Sequence, residues 1–313
     1  MSSEQATADV AIIGAGPAGL QAALTLGRMR RRVVVLDTGR YRNDPASHMH
    51  NFLAHDGTRP AELRRAARAD IDRYDTVALR EGEVIAIEGE RDGFALALRD
   101  GEPVRARRVL IAAGASDALP PIPGAAELFG DAVAHCPFCH GHEFLGTPVG
   151  IVGGGFHAAM KAAMLAPIVS RLVVLTGGEE LDDAARAALD RLGAEVRAER
   201  VIAVRRADEG LELDLDGADA PLALGGLFVS PTWITPAFLD GLGLERSPQG
   251  AVRVDAFGRT SRAGVSAAGD IAQSPGQPQP MSAVLAAASS GLIAAAALAQ
   301  DLAAADAGLT LPG

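Results

Sequence analysis

Two cysteines, the only ones in 313 residues, stand in the segment His135-Cys136-Pro137-Phe138-Cys139-His140. A Cys-x-x-Cys pair can close and reopen a small disulfide, storing two electrons. A neighbouring imidazolium favours the thiolate, which is the nucleophile in disulfide exchange. Three other readings compete. Cys-x-x-Cys-His is also the attachment signature of c-type haem, which would require export. Cys136, Cys139 and two of His135, His140 and His142 would make a four-ligand zinc site, although these residues lie close together and have no distant second pair. An inert buried pair is the third. The weight of the redox reading comes from the elements that must position the segment.

Val10-Ala11-Ile12-Ile13 reads as a strand, Gly14-Ala15-Gly16-Pro17-Ala18-Gly19 follows, and Leu20 to Met29 reads as a helix. The next strand, Val33-Val34-Val35-Leu36, ends in Asp37. This is the Gly-x-Gly-x-x-Gly dinucleotide fingerprint in full context. Gly14 makes the tight turn, Gly16 lets N–H groups approach a pyrophosphate at the helix N-terminus, and Gly19 lets helix and strand pack closely. Asp37 is placed to accept hydrogen bonds from an adenosine ribose. A second fingerprint, Gly153-Gly154-Gly155-Phe156-His157-Ala158, follows the strand Val149–Val152, and a helix is expected from about His157 to Ala166. The strand after it, Leu172–Leu175, runs into Thr176-Gly177-Gly178-Glu179-Glu180. An NADPH site needs basic groups there for the 2′-phosphate. Two carboxylates would repel it, so this fold either takes NADH or holds no nucleotide.

Between these folds, Ser47 to Leu53 is a polar loop without periodicity, and Pro60 to Tyr74 reads as an amphipathic helix whose arginines form a solvated face. Strands are expected at 83–87, 94–98 and 105–111, the last running into the small-residue turn Ala112-Ala113-Gly114-Ala115. Pro120, Pro121 and Pro123 mark a boundary. Near the end, Gly264 to Asp270 is a strand and turn closing on an acid, placed to bind a ribityl hydroxyl. A Pro/Gln-rich loop, 273–280, and a long apolar helix, 281–299, follow. The expected fold is α/β. It has two Rossmann-like three-layer dinucleotide-binding domains, the second (118–245) inserted into the first (1–117 and 246–313).

Composition agrees: 48% hydrophobic and only 4% aromatic residues suit an Ala- and Gly-rich α/β protein. With 29 basic and 39 acidic residues the formal charge is −10, which argues against nucleic acid and anionic membrane as partners. Residues 1–9 lack the layout of an export signal, and serines and Gly291 interrupt the apolar run near the C-terminus, so a cytoplasmic protein with no membrane span is expected.

The order and spacing of the first fingerprint, the Cys136–Cys139 pair, the second fingerprint and Ala268-Gly269-Asp270 resemble the low-molecular-weight thioredoxin reductase family of flavoproteins over essentially the whole chain. The resemblance implies FAD in the first domain, with Asp37 on the adenosine ribose, Asp270 on the ribityl chain and Asn51 near the flavin. It extends the cofactor set to Pro17, Ala18, Thr38, Arg42, Val84, Ala113, Gly114 and Gly269. It also implies that Cys139 faces the isoalloxazine, that Cys136 exchanges with substrate, and that the protein is a homodimer.

Departures narrow the expectation. The family's reductases carry Asp where His140 stands, a basic motif where Thr176–Glu180 stands, and Arg-Gln-Ala near Met281-Ser282-Ala283. The segment from His135 to Glu143, with Arg42-Asn43 and His50-Asn51-Phe52, is similar to the dithiol oxidases of the gliotoxin and holomycin type. That similarity implies closure of a disulfide in a small dithiol, with oxygen as electron acceptor and no required nicotinamide. His140 is the first candidate for the base, because imidazole titrates near neutrality; His135 and His142 come next. The alternatives are an NAD(P)H-dependent disulfide reductase and a flavin-binding redox sensor.

Overall fold

The computed structural model describes residues 7–310. Most of the N-terminal segment read above for an export signal, residues 1–6, lies outside them. The chain divides into two compact units: 1–42, 61–116 and 233–313 form the first, and 43–60 with 117–232 the second.

Unit 1 is built on β1 (Ala8–Ile13), all six residues of which are buried. A central parallel strand is covered on both faces, so it reads as an unbroken apolar run rather than an alternation. It lies between β2 (Val33–Asp37) and β6 (Val104–Ile111), with Ile13 opposite both Leu36 and Ile111. β3 (Val77–Glu81) extends the sheet beyond β2. On the other side β6 is shared. Its first half pairs antiparallel with β5 (Phe94–Leu98), which forms a hairpin with β4 (Val84–Glu88), and its second half pairs parallel with Val265–Ala267. This register brings the turns after β1, β6 and Val265–Ala267 to one edge, where Gly14, Ala113-Gly114 and Gly269-Asp270 stand.

Helix α1 (Pro17–Arg28) has Pro at its first turn and buries Ala18, Leu20, Ala22, Ala23 and Leu26. The C-terminal helix, Val284–Ala307, is long and apolar enough to span a membrane by length and composition, with a mean hydropathy of 1.4. Its Ala287, Ala294, Ala295, Leu298 and Leu302 nevertheless share a core with α1 and β1. At Gly291 a Cβ would collide with the backbone of Ala18, so the two helices touch main chain to main chain.

Unit 2 has a five-stranded sheet ordered Glu195–Arg197, Arg171–Leu175, Pro148–Val152, Gly226–Phe228, Val133–Ala134, parallel throughout. A three-stranded antiparallel sheet of residues 201–224 adjoins its core. The helix after the second fingerprint spans Gly155–Leu165 and begins two residues earlier than expected. The return to unit 1 falls at residue 233 rather than 246, because Leu239, Leu242 and Leu244 pack into the unit 1 core with Val252 and Ile271. The segment 43–60, expected as part of the first domain, packs with unit 2.

Candidate active site

Cys136 and Cys139 are joined in a disulfide, with Cα atoms 5.3 Å apart. The pair is built on one helical turn, Pro137–His140, with Cys136 as its extended N-cap. Pro137 suits the first helical position, having a preset φ and no N–H to leave unsatisfied. The turn closes with N–H groups of Cys139 (3.1 Å) and His140 (3.2 Å) on the Cys136 carbonyl, and that of Gly141 on the Pro137 carbonyl (2.7 Å). A Cβ at Gly141 would strike that same carbonyl, so glycine is required where the chain leaves the turn. Phe138, 73% exposed, projects from it.

Segment 43–60 holds the turn from outside. Asn51, at φ +62°, takes its own N–H to Asp56 (2.8 Å) and donates its side-chain amide to the Phe138 carbonyl. The Asn51 amide thereby secures the redox turn. His50 spans two carboxylates, Nδ1 3.5 Å from Asp56 and Nε2 3.3 Å from Glu143. The Asp56 carboxyl is held below its ordinary value, chiefly by the Asn51 N–H and then by His50. His135 stacks on Phe129, 5.7 Å between centroids, while His142 is exposed. The Nε2 of His140 is 3.1 Å from the Gly130 carbonyl, and its Nδ1 is buried without a hydrogen-bond partner. A cavity of about 460 Å³ within unit 2 is lined by His140, Gly130, His48, His50, Glu143 and Arg206 among others. His48 and His50 come from the polar loop without periodicity, so only long-range packing reveals the cluster.

The first fingerprint has the features of a nucleotide cradle. Gly14 lies at φ +100°, and a Cβ there would sit 2.5 Å from the Ala112 carbonyl oxygen. Gly16 caps α1 with no side-chain partner and open space around it. At Gly19 a Cβ would run into the Gly14 carbonyl. Pro17 and Ala18 open the helix, and Gly114, at φ +63°, faces open space beside half-buried Ala113. Asp37 accepts the Ala15 N–H (3.0 Å), the Tyr41 hydroxyl and Arg68 (2.9 Å). Burial, then the bond to Asp37, pushes the Tyr41 hydroxyl up to about 12, so it remains a donor. Arg64, only 9% exposed, lies 3.9 Å over the Tyr41 ring. Arg64 and Arg68 are therefore not the solvated face expected of their helix; their i,i+4 spacing on one side was the available signal.

Asp270 pairs with Arg42 at 3.0 Å, and Arg42 also reaches Ser282 and lies 4.6 Å over Trp233. Gly269 donates to Ser290 Oγ at 2.9 Å. Thr38 is exposed, whereas the Val84 side chain is buried in the core. The carboxylates of Asp37 and Asp270 are the acceptors at this edge that ligand hydroxyls would meet. The open glycine turn at an uncapped helix N-terminus with these two acids fits a dinucleotide such as FAD.

The second fingerprint differs. A Cβ at Gly154 would lie 3.0 Å from Glu179 Oε2, so the Glu179 carboxylate crowds the turn where a pyrophosphate would approach. Thr176, not an acid, occupies the strand end matching Asp37. Lys161, the lone lysine, reaches from the following helix to the Val229 carbonyl (2.9 Å) and Ser230 Oγ (2.8 Å), and burial pushes its ammonium down to about 8.

Comparison with known proteins gives a consistent result. The family described as Pyridine nucleotide-disulphide oxidoreductase matches residues 8–290. Thioredoxin reductase tcpT of Claviceps purpurea is 33% identical over 84% of this chain and 86% of its own length. Thioredoxin reductase aclD of Aspergillus oryzae is 34% identical over 84% and 88%. The crystal structure of HlmI superposes with a TM-score of 0.89 at 36% identity, covering 97% of this chain and 95% of that one.

Proposed function

Because the chain belongs to the pyridine nucleotide-disulphide oxidoreductase family, whose members are FAD-dependent thiol–disulfide oxidoreductases, we propose that it is a dithiol oxidase, closing a disulfide in a small dithiol with oxygen as the terminal acceptor. The observation that carries the direction of electron flow is Glu179 against Gly154. A carboxylate at that turn opposes the anionic pyrophosphate and 2′-phosphate of NADPH, the electron source that a reductase of this kind would require. Electrons are then read as entering from the substrate.

The chain's own residues account for the exchange. A substrate thiolate attacks Cys136 Sγ, the Cys136–Cys139 bond breaks, and Cys139 leaves as a thiolate. The second substrate thiolate attacks the substrate sulfur of the mixed disulfide and releases Cys136, so the substrate is oxidised and the enzyme pair reduced. His140 takes the proton that must leave the incoming thiol. Asn51 holds the turn through the Phe138 carbonyl, which keeps Cys136 at the helix N-terminus, where a developing thiolate is favoured. Gly14, Gly16, Gly19, Asp37 and Asp270 would hold FAD, which would supply the two-electron acceptor chemistry that returns the reduced cysteine pair to its disulfide.

The test is oxygen uptake by the purified flavoprotein with dithiothreitol and no nicotinamide. The native protein should consume oxygen, while Cys136→Ser and Cys139→Ser should fall to the buffer background. Full activity in either variant would end the reading. A native protein silent with dithiols but bleached by NADPH would be a reductase, and one silent in both assays a redox sensor.

A further inference from the structure

His140 holds its two ring nitrogens in unlike surroundings. Nε2 lies 3.1 Å from the Gly130 carbonyl oxygen. A carbonyl only accepts, so Nε2 carries the hydrogen. In the neutral ring Nδ1 is then a bare lone pair, and it is buried with no partner. A buried acceptor left unmatched is costly in a folded protein and calls for an explanation.

The acceptor for Nε2 is itself fixed. Gly130 sits at φ +89° and donates its N–H to the Val133 carbonyl at 2.9 Å. A Cβ there would lie 2.5 Å from the carbonyl carbon of Pro45 and 2.7 Å from the nitrogen of Ala46, so the segment 43–60 packs directly on this glycine. The donor side is anchored too. The His140 N–H bonds the Cys136 carbonyl, placing the imidazole one turn after the first cysteine. Side chains four apart share a helical face and lean toward the N-terminus, here toward Cys136.

Resting on the dithiol-oxidase reading, we propose that the Gly130 carbonyl is a positioning group that locks His140 as the Nε2–H tautomer, leaving Nδ1 as the nitrogen that works on thiol protons. The S–H bond of the incoming thiol breaks and an Nδ1–H bond forms, while the sulfur's electron pair makes the new bond to Cys136. When the second substrate thiol displaces Cys136, its own proton goes to the Cys139 thiolate and the proton held on Nδ1 passes to the departing Cys136 sulfur, so the enzyme pair ends as two thiols. The ring ends the exchange as it began, with Nε2–H on Gly130 throughout. The charged and titratable groups lining the cavity beside His140 and Gly130 are His48, His50, Asp131, Glu143, Arg206 and Glu209. Among these, Asp131 pairs with Arg206 and His50 with Glu143.

Nitrogen-15 NMR of the histidines in the oxidised, flavin-loaded protein reads the tautomer directly. The expected result is a protonated Nε2 and an unprotonated Nδ1 on His140; the reverse tautomer overturns the role given to Gly130 whatever the activity. His140→Gln places an amide N–H near the Nε2 position but has no basic nitrogen. It should fold as the native protein does and lose about 10²–10⁴ in dithiol turnover. His140→Ala should recover part of its rate when imidazole is added, since the cavity lies alongside the vacated ring. Native turnover with an unchanged pH profile in the Gln variant overturns the proton transfer. Neither result touches the cysteine variants, which judge the dithiol reading separately.

Discussion

At the scale of single residues, two cations in unlike settings make predictions in different pH windows. Arg108, on β6, has no exposed surface; its Nη1 is 2.7 Å from Asp92 and its Nε bonds Asp301 on the C-terminal helix. Burial tends to raise the Asp92 pKa, but hydrogen bonds from Arg108 and Arg107 outweigh it and hold the carboxyl below its ordinary value. A depressed carboxylate contributes stability that is present above its unfolded pKa and lost as pH falls through the folded one. Asp301→Asn leaves the buried Arg108 with Asp92 as its remaining carboxylate, so it should cost about 1–3 kcal/mol, read as a lower urea midpoint at neutral pH. Lys161 has no carboxylate partner among the described residues and bonds only neutral oxygens. Its folded pKa of about 8 lies below the ordinary 10.5. The unfolded chain therefore holds the extra proton between those values, and stability rises with pH across that window. Melting temperatures measured from pH 7.5 to 10.5 should show this rise in the native protein and lack it in Lys161→Met. A variant that keeps the same rise would show that Lys161 is not the group responsible.

At the scale of elements, α1 and the C-terminal helix make a close contact, where Gly291 lets two backbones meet at Ala18. A methyl there has no side chain to displace. Gly291→Ala should overpack the interface and cost about 1–3 kcal/mol, despite alanine's better helix propensity; a denaturation midpoint at or above the native one would refute the close approach. The elements that sequence exposes most clearly are those whose pattern is local. β1, β2 and both glycine turns follow from short apolar runs and fixed spacings, and the disulfide turn from two cysteines and a proline. What stayed hidden depends on distant partners. β3 is a short strand of mixed burial, Val77-Ala78-Leu79-Arg80-Glu81, which only pairing with β2 defines. Segment 43–60 has no period to read, and its place is set by Asn51 on Phe138 and Pro45 on Gly130. For the same reason Arg64 and Arg68 looked solvated until Tyr41 and Asp37 were seen beneath them.

At the scale of the whole molecule, one chain carries two nucleotide folds with matched strand register, yet their turns are furnished differently. In the first, Asp37 bonds the Ala15 N–H from beside the turn and leaves Gly16 open. In the second, Glu179 comes up from the loop beyond the strand and crowds Gly154, with Glu180 next to it and Lys161 the lone lysine in the chain. A 2′-phosphate brought to that loop meets two carboxylates where a guanidinium would be needed, and like charges in contact cost several-fold in affinity even in water. Electrons from NADPH should therefore not reach the flavin. Mixed anaerobically with NADPH, the yellow protein should keep its absorbance, while an equal amount of dithiol should bleach it. If the carboxylates are the barrier, Glu179→Arg with Glu180→Arg should permit NADPH-dependent bleaching and leave bleaching by the dithiol unchanged. Rapid bleaching of the native protein by NADPH would reverse the direction of electron flow argued from Gly154. A charge-reversed protein that still ignores NADPH would place the barrier in the geometry of the turn rather than in its charge.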